Sequence, residues 1–206
     1  MSRTAAIIAA VAVAAGLGAA GWVALAPDPG GDRFASCRQV RVAGGAGLGG
    51  PFTLTAQDGV RMTDAQVIDR PALVYFGFTF CPDVCPVDTV RNADAADILA
   101  ERGIDLRPVF ITIDPARDDV ATVFDYVSNI SERMIGLTGT EAEIAAVAKE
   151  YRVYRAKHGT DDQDYLMDHS TYAYLMAPGE GLLEVFRRDD TAQGIAARAA
   201  CFIDKL

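Results

Sequence analysis

Pro71-Ala-Leu-Val-Tyr-Phe-Gly-Phe-Thr-Phe80 runs directly into Cys81-Pro-Asp-Val-Cys-Pro86, and this stretch decides the fold. Its first part is a nearly continuous run of apolar strand formers, as a central strand buried on both faces requires. Its second part places two thiols four positions apart where that strand ends. Val87 to Arg102 follows with mostly helix-forming residues, and Gly103 is placed to end the helix. Leu106 to Ile113 then reads as a second core strand.

Outward from this centre the signals are local. Upstream, Phe52-Thr-Leu-Thr and Val60-Arg-Met-Thr flank Gln57-Asp58-Gly59, a strand, turn, strand pattern. Downstream, Asp118 to Val127 reads as a short helix and Met134 to Leu137 as a short strand. Thr140 with Glu143 forms a capping box that opens a helix to Tyr151. Lys157 to Asp164 is polar and acidic and reads as a surface loop. Tyr172 to Met176 and Leu182 to Phe186 alternate around Pro178-Gly-Glu-Gly181, a second hairpin. Thr191 caps a last helix through Ile203. A central βαβ unit, an antiparallel hairpin and a closing helix make the element order of an α/β thioredoxin-like fold, here with an added N-terminal β-hairpin. The expected domain spans residues 51–206. The first cysteine falls at the C-terminal edge of the sheet, where open α/β sheets place their sites.

The chain of 206 residues carries a formal charge of −9, with 50% apolar and 8% aromatic residues. That composition supports a packed core in one ordinary domain and gives no basic patch for nucleic acid. Thr4 to Ala26 is 23 positions without a charge, preceded by Arg3 and followed by Pro27 and Asp28. At about 1.5 Å per residue it can span a hydrocarbon core of about 30 Å. The positive flank predicts a cytoplasmic N-terminus and an exported domain. A cleaved signal peptide competes, because Ala24-Leu25-Ala26 resembles a cleavage site, but the run is longer than a usual signal core and Trp22 suits an interfacial anchor. The expectation is a single transmembrane helix over residues 4–26, then a tether over 27–50 with seven glycines. The domain then faces an oxidising compartment.

Four cysteines and two histidines are few enough to weigh singly. Cys81 and Cys85 fall on one side of a helical turn, with Cβ atoms roughly 5–6 Å apart if the turn is regular. A helix N-terminus stabilises thiolate, the form that binds metal or attacks a disulfide. The proline after each cysteine lacks a donor that a helix opening leaves unpaired. A static disulfide is disfavoured by position, whereas a metal site and a dithiol redox site both remain open. His169, in Met167-Asp168-His169-Ser170, precedes a core strand that the fold brings beside the cysteine-bearing helix. Two thiolates and one imidazole form a set that suits Cu(I). His158 reads as a surface residue, and Met167 and Met176 as packing. Asp114, in Thr112-Ile-Asp-Pro-Ala-Arg-Asp118, opens onto the same edge; it either touches a ligand or partner or caps a helix. Cys37 and Cys201 are expected to pair with each other, the alternative being two free thiols; the loop-entropy model gives such a bridge roughly 4–5 kcal/mol.

Phe76 to Pro86, Phe110 to Asp118, Gly136-Leu-Thr-Gly139, Tyr151-Arg-Val-Tyr154 and Asp168-His-Ser170 together resemble the Sco/SenC copper proteins, in order from about Gly50 onward. The resemblance implies a thioredoxin-like domain on one N-terminal helix in the inner membrane, facing the periplasm. It implies binding of copper, Cu(I) and Cu(II), and help in assembling the CuA centre of cytochrome c oxidase subunit II. Its ligands carry over to Cys81, Cys85 and His169, and its aspartate to Asp114. Phe80 stands where many members have His, and Cys37 and Cys201 lie outside the family pattern. Three functions follow for testing. A metallochaperone hands copper to partner cysteines, with other periplasmic copper donors or thiol reductants as further partners. A thiol–disulfide reductase uses Cys81 and Cys85 on the partner's cysteines. A peroxiredoxin-like peroxidase is disfavoured, because Thr79 stands two rather than three residues before Cys81.

Overall fold

The buried run becomes the central strand of a mixed sheet. A computed structural model describes residues 32–38, 47–159 and 165–206. The chain divides into two units, Met1–Ala35 and Ser36–Leu206. The described part of the first is a turn in which the Ala35 N–H donates to the Asp32 carbonyl at 2.9 Å. The expected membrane helix over 4–26 lies outside the described residues, as does much of the expected tether. Among the described residues no helix is long and apolar enough to cross a membrane.

The second unit contains β1 (Thr53–Ala56), β2 (Arg61–Thr63), α1 (Asp64–Val67), β3 (Ala72–Gly77), α2 (Val84–Ala100), β4 (Arg107–Thr112), α3 (Val120–Ser128) and β5 (Ile135–Thr138). It continues with α4 (Glu141–Glu150), β6 (Arg155–His158), β7 (Leu166–His169), β8 (Ala173–Ala177), β9 (Gly181–Phe186) and α5 (Ala192–Ile203). Seven strands form one sheet in the order β2-β1-β5-β4-β3-β8-β9. The trio β5, β4 and β3 is parallel, and the flanking pairs are antiparallel. All six residues of β3 are buried. This is the thioredoxin-like α/β arrangement with its added hairpin, β1 and β2, on one edge.

The connections obey the expected chemistry. Gly103 adopts φ +75°, and the Ile104 N–H returns to the Leu99 carbonyl at 2.9 Å, closing the end of α2. Thr140 and Glu143 form the reciprocal capping box of α4, and Thr191 caps α5. Cys37 and Cys201 are disulfide-bonded, with Cα atoms 5.7 Å apart. The bridge ties the start of this unit to α5, which packs on α2.

Two expectations need correction, and one of the two alternatives for Asp114 closes. The helix after the cysteine motif begins at Val84 rather than Val87, so it includes Cys85 but not Cys81. The stretch from Lys157 does not begin as a loop: Lys157 and His158 belong to β6, which pairs with β7 from Arg155↔His169 to His158↔Leu166. The cap of α3 is Asp119, whose side chain accepts from Thr122, and not Asp114. His158 is exposed, as expected.

Candidate metal centre

Cys85 sits in the first turn of α2 against the end of β3, where the absence of a side chain at Gly77 makes room for it. A Cβ on Gly77 would stand 3.2 Å from the Cys85 sulfur and 2.9 Å from the Tyr75 ring. Cys81 closes a tight turn, its N–H donating to the Phe78 carbonyl at 3.3 Å. The Cys85 N–H in turn donates to the Cys81 sulfur at 3.4 Å, so this thiol takes up a free donor at the helix N-terminus. Both cysteines are free and buried. Burial pushes the Cys85 thiol well above the ordinary range, only partly offset by the Phe78 N–H.

His169, the last residue of β7, points its Nε2 at the Cys85 sulfur across 3.3 Å. Its Nδ1 lies 2.8 Å from the Ser170 carbonyl. A carbonyl only accepts, so Nδ1 carries the proton and Nε2 keeps a lone pair aimed at the thiol. Burial lowers the imidazole pKa, against the pull of the Ser170 carbonyl and of Asp88. The ring is enclosed by Phe78 and Tyr75, with centroids 5.9 and 6.3 Å away. A neutral imidazole and two soft sulfurs fit a Cu(I)-type ion. Among the described residues, however, no three His, Cys, Asp or Glu side chains already form a closed metal-holding cluster. His169 Nε2 meets the Cys85 sulfur, and the Cys81 sulfur meets the Cys85 N–H, so Cys85 stands between the other two donors.

Around this edge lie three buried carboxylates, of which the sequence singles out only Asp114. Asp88, one turn along α2, is buried beside the Tyr75 hydroxyl at 3.3 Å and paired with Arg91 at 3.0 Å. Burial raises its carboxyl pKa, with Arg91 and Arg188 opposing. Asp114 is buried, accepts the Tyr165 hydroxyl at 2.7 Å and pairs with Arg117 at 2.6 Å. Asp118 accepts the N–H and hydroxyl of Thr79 at 3.0 and 2.6 Å. The only sequence signal for Asp88, Gly77 and Asp118 is their closeness to the motifs, because each also meets a residue of another element: Asp88 the Tyr75 hydroxyl, Gly77 the Cys85 sulfur and Asp118 the Thr79 hydroxyl. Phe80 is 53% exposed and Val87 62%, an apolar border beside the motif.

The fold and this arrangement define a thioredoxin-like protein with a Cys-x-x-x-Cys motif and one histidine at the C-terminal edge of its sheet. The family model described as SCO1/SenC matches residues 41–204, and the chain belongs to that family. Protein SenC of Rhodobacter capsulatus is 46% identical over 205 residues, covering 100% of this chain and 92% of that protein. The crystal structure of Arabidopsis thaliana ScoI with copper bound is 39% identical with a TM-score of 0.72, covering 76% of this chain and 99% of that one. The structure of Bradyrhizobium japonicum ScoI with copper bound is 38% identical with a TM-score of 0.68, covering 74% and 98% respectively.

Proposed function

We propose that this chain is a copper metallochaperone in which Cys81, Cys85 and His169 hold Cu(I) or Cu(II) and pass it by ligand exchange to the CuA cysteines of cytochrome c oxidase subunit II. One observation carries the reading: the lone pair of His169 Nε2 faces the Cys85 sulfur at 3.3 Å. Similar ScoI structures crystallised with copper bound support copper as the cargo. The Cys81 sulfur, held against the Cys85 N–H, keeps lone pairs to join the other two donors on the metal. The 4–26 segment serves as a single-pass anchor in the inner membrane, and the domain faces the periplasm. The Cys37–Cys201 bridge favours such a compartment, because disulfides persist where the surroundings are oxidising.

A thiol–disulfide reductase is the second reading, favoured by the contact of the Cys85 N–H with the Cys81 sulfur, which holds two reduced thiols side by side. The two readings part at His169. Copper titration of the full-length chain is expected to show strong loss of binding in Cys81→Ser, Cys85→Ser and His169→Ala. Reduction of an oxidised dithiol peptide should survive only in His169→Ala. Wild-type copper binding by all three variants overturns the site, and loss of both activities in His169→Ala overturns the separation of roles.

A further inference from the structure

The short segment Asp114 to Asp118 grips both stretches that carry the candidate donors. On one side, the buried Asp118 carboxylate accepts the Thr79 N–H and hydroxyl, two residues before Cys81, and the Thr112 hydroxyl at 2.5 Å. On the other side, Arg117 donates through Nη1 to the Tyr165 carbonyl at 2.9 Å, and its guanidinium carbon lies 3.6 Å from the Tyr165 ring centre. Tyr165 directly precedes β7, and β7 ends on His169. The same guanidinium faces the rings of Phe80 and Phe78 at 4.9 and 5.8 Å, and these belong to the cysteine turn.

Asp114 completes the arrangement. Its two carboxylate oxygens take the Arg117 Nε and the Tyr165 hydroxyl, so the arginine is held in one orientation. The Arg117 and Asp118 N–H groups both return to the Asp114 carbonyl, which makes the segment one compact turn. Arg117 is only 13% exposed, so solvent and salt screen this pair little. A planar fork that stacks and donates at once has no equivalent in lysine.

We propose that Arg117, oriented by Asp114, is a positioning residue that fixes the separation between the cysteine turn and His169 and thereby the geometry in which the donors close on copper. This rests on the copper reading above. Asp118 moors the cysteine turn to the sheet, and Arg117 moors the start of β7 to that turn. Without Arg117 each donor keeps its own element but the two elements lose their common reference.

The test uses the full-length chain as wild type, Arg117→Ala, Arg117→Lys and, as a control, Arg61→Ala, which breaks an exposed ion pair with Glu143. In the metal-free state, Arg117→Ala should speed amide exchange together at Thr79 to Cys81 and Leu166 to His169, with β8 and β9 unchanged. With Cu(II), its thiolate charge-transfer band and electron paramagnetic spectrum should shift, and affinity should fall about tenfold or more. Arg117→Lys should lie between, and Arg61→Ala should match wild type in both. Wild-type exchange at the two segments in Arg117→Ala overturns the bracket. Altered exchange with a wild-type copper spectrum and affinity overturns the positioning role. A wild type that binds no copper overturns the metal reading and the proposal with it, and the exchange result separates that failure from failure of the bracket.

Discussion

For the single thiol of Cys85, burial outweighs the hydrogen-bond donors that would favour its charged form. The residue is fully enclosed, and the donors it meets offset only part of the desolvation cost. Its thiol is thus a proton reservoir that an incoming soft metal must displace, not a standing thiolate. In the metal-free chain, alkylation of Cys85 by iodoacetamide should therefore be slow at pH 8 and still rising above pH 9, past the ordinary thiol range near 8.5. A rate that levels off at or below that range would mean that burial does not govern the thiol. The donors themselves were legible because the inventory is small: two histidines, and one close pair among four cysteines. Gly77 was not, because its role is to leave space for a sulfur eight residues away. Nor was the choice between activation and burial, which depends on atoms from β3 and β7 that no local pattern describes.

At the scale of elements, strong local signals survived and weak ones were hidden by pairing. The capping box of α4 is a local device, and the structure adds a partner to it: Arg61 of β2 pairs with Glu143. Arg61 and the Thr140 N–H hold the Glu143 carboxyl down at about 2. The unfolded value is near 4.3, so the stabilisation is fully present above that pH and is lost as pH falls through the folded value. The pair is exposed and screened, so its contribution is small. Glu143→Gln should be slightly less stable than wild type in urea at pH 7, and the difference should shrink as pH falls toward 2. A difference that persists there would point to packing rather than charge. By contrast β6 carries only Ala156 as an apolar residue, and none of its four residues is buried, so no alternation marked it. Its backbone pairing with β7 makes it a strand, and that information resides in another segment. The same holds for the start of α2, which Val84 and Cys85 join ahead of Pro86. Proline is tolerated in a first turn because its missing donor would be unpaired there.

For the molecule as a whole, the covalent bridge and the site use the same helix pair in different ways. Cys37–Cys201 closes a sequence separation of 164 residues onto α5, and α5 packs along α2, whose first turn carries Cys85. Closing so long a loop removes conformational freedom chiefly from the unfolded chain, at roughly 4–5 kcal/mol in the loop-entropy model. The folded site gains nothing directly, since Cys81 and Cys85 remain free of the bridge. Stability and copper binding should therefore separate. The double variant Cys37→Ser with Cys201→Ser should unfold some 10–20 °C lower than wild type at neutral pH, given about 2–4 °C per kcal/mol for a domain of this size. Its copper affinity, measured well below that transition, should equal that of wild type. An unchanged unfolding temperature would show that structure retained in the unfolded chain, or a cost to the folded one, cancels the entropic gain. Equal loss of stability and copper affinity would show instead that the bridge sets the position of α2, and with it the Cys85 sulfur, through α5.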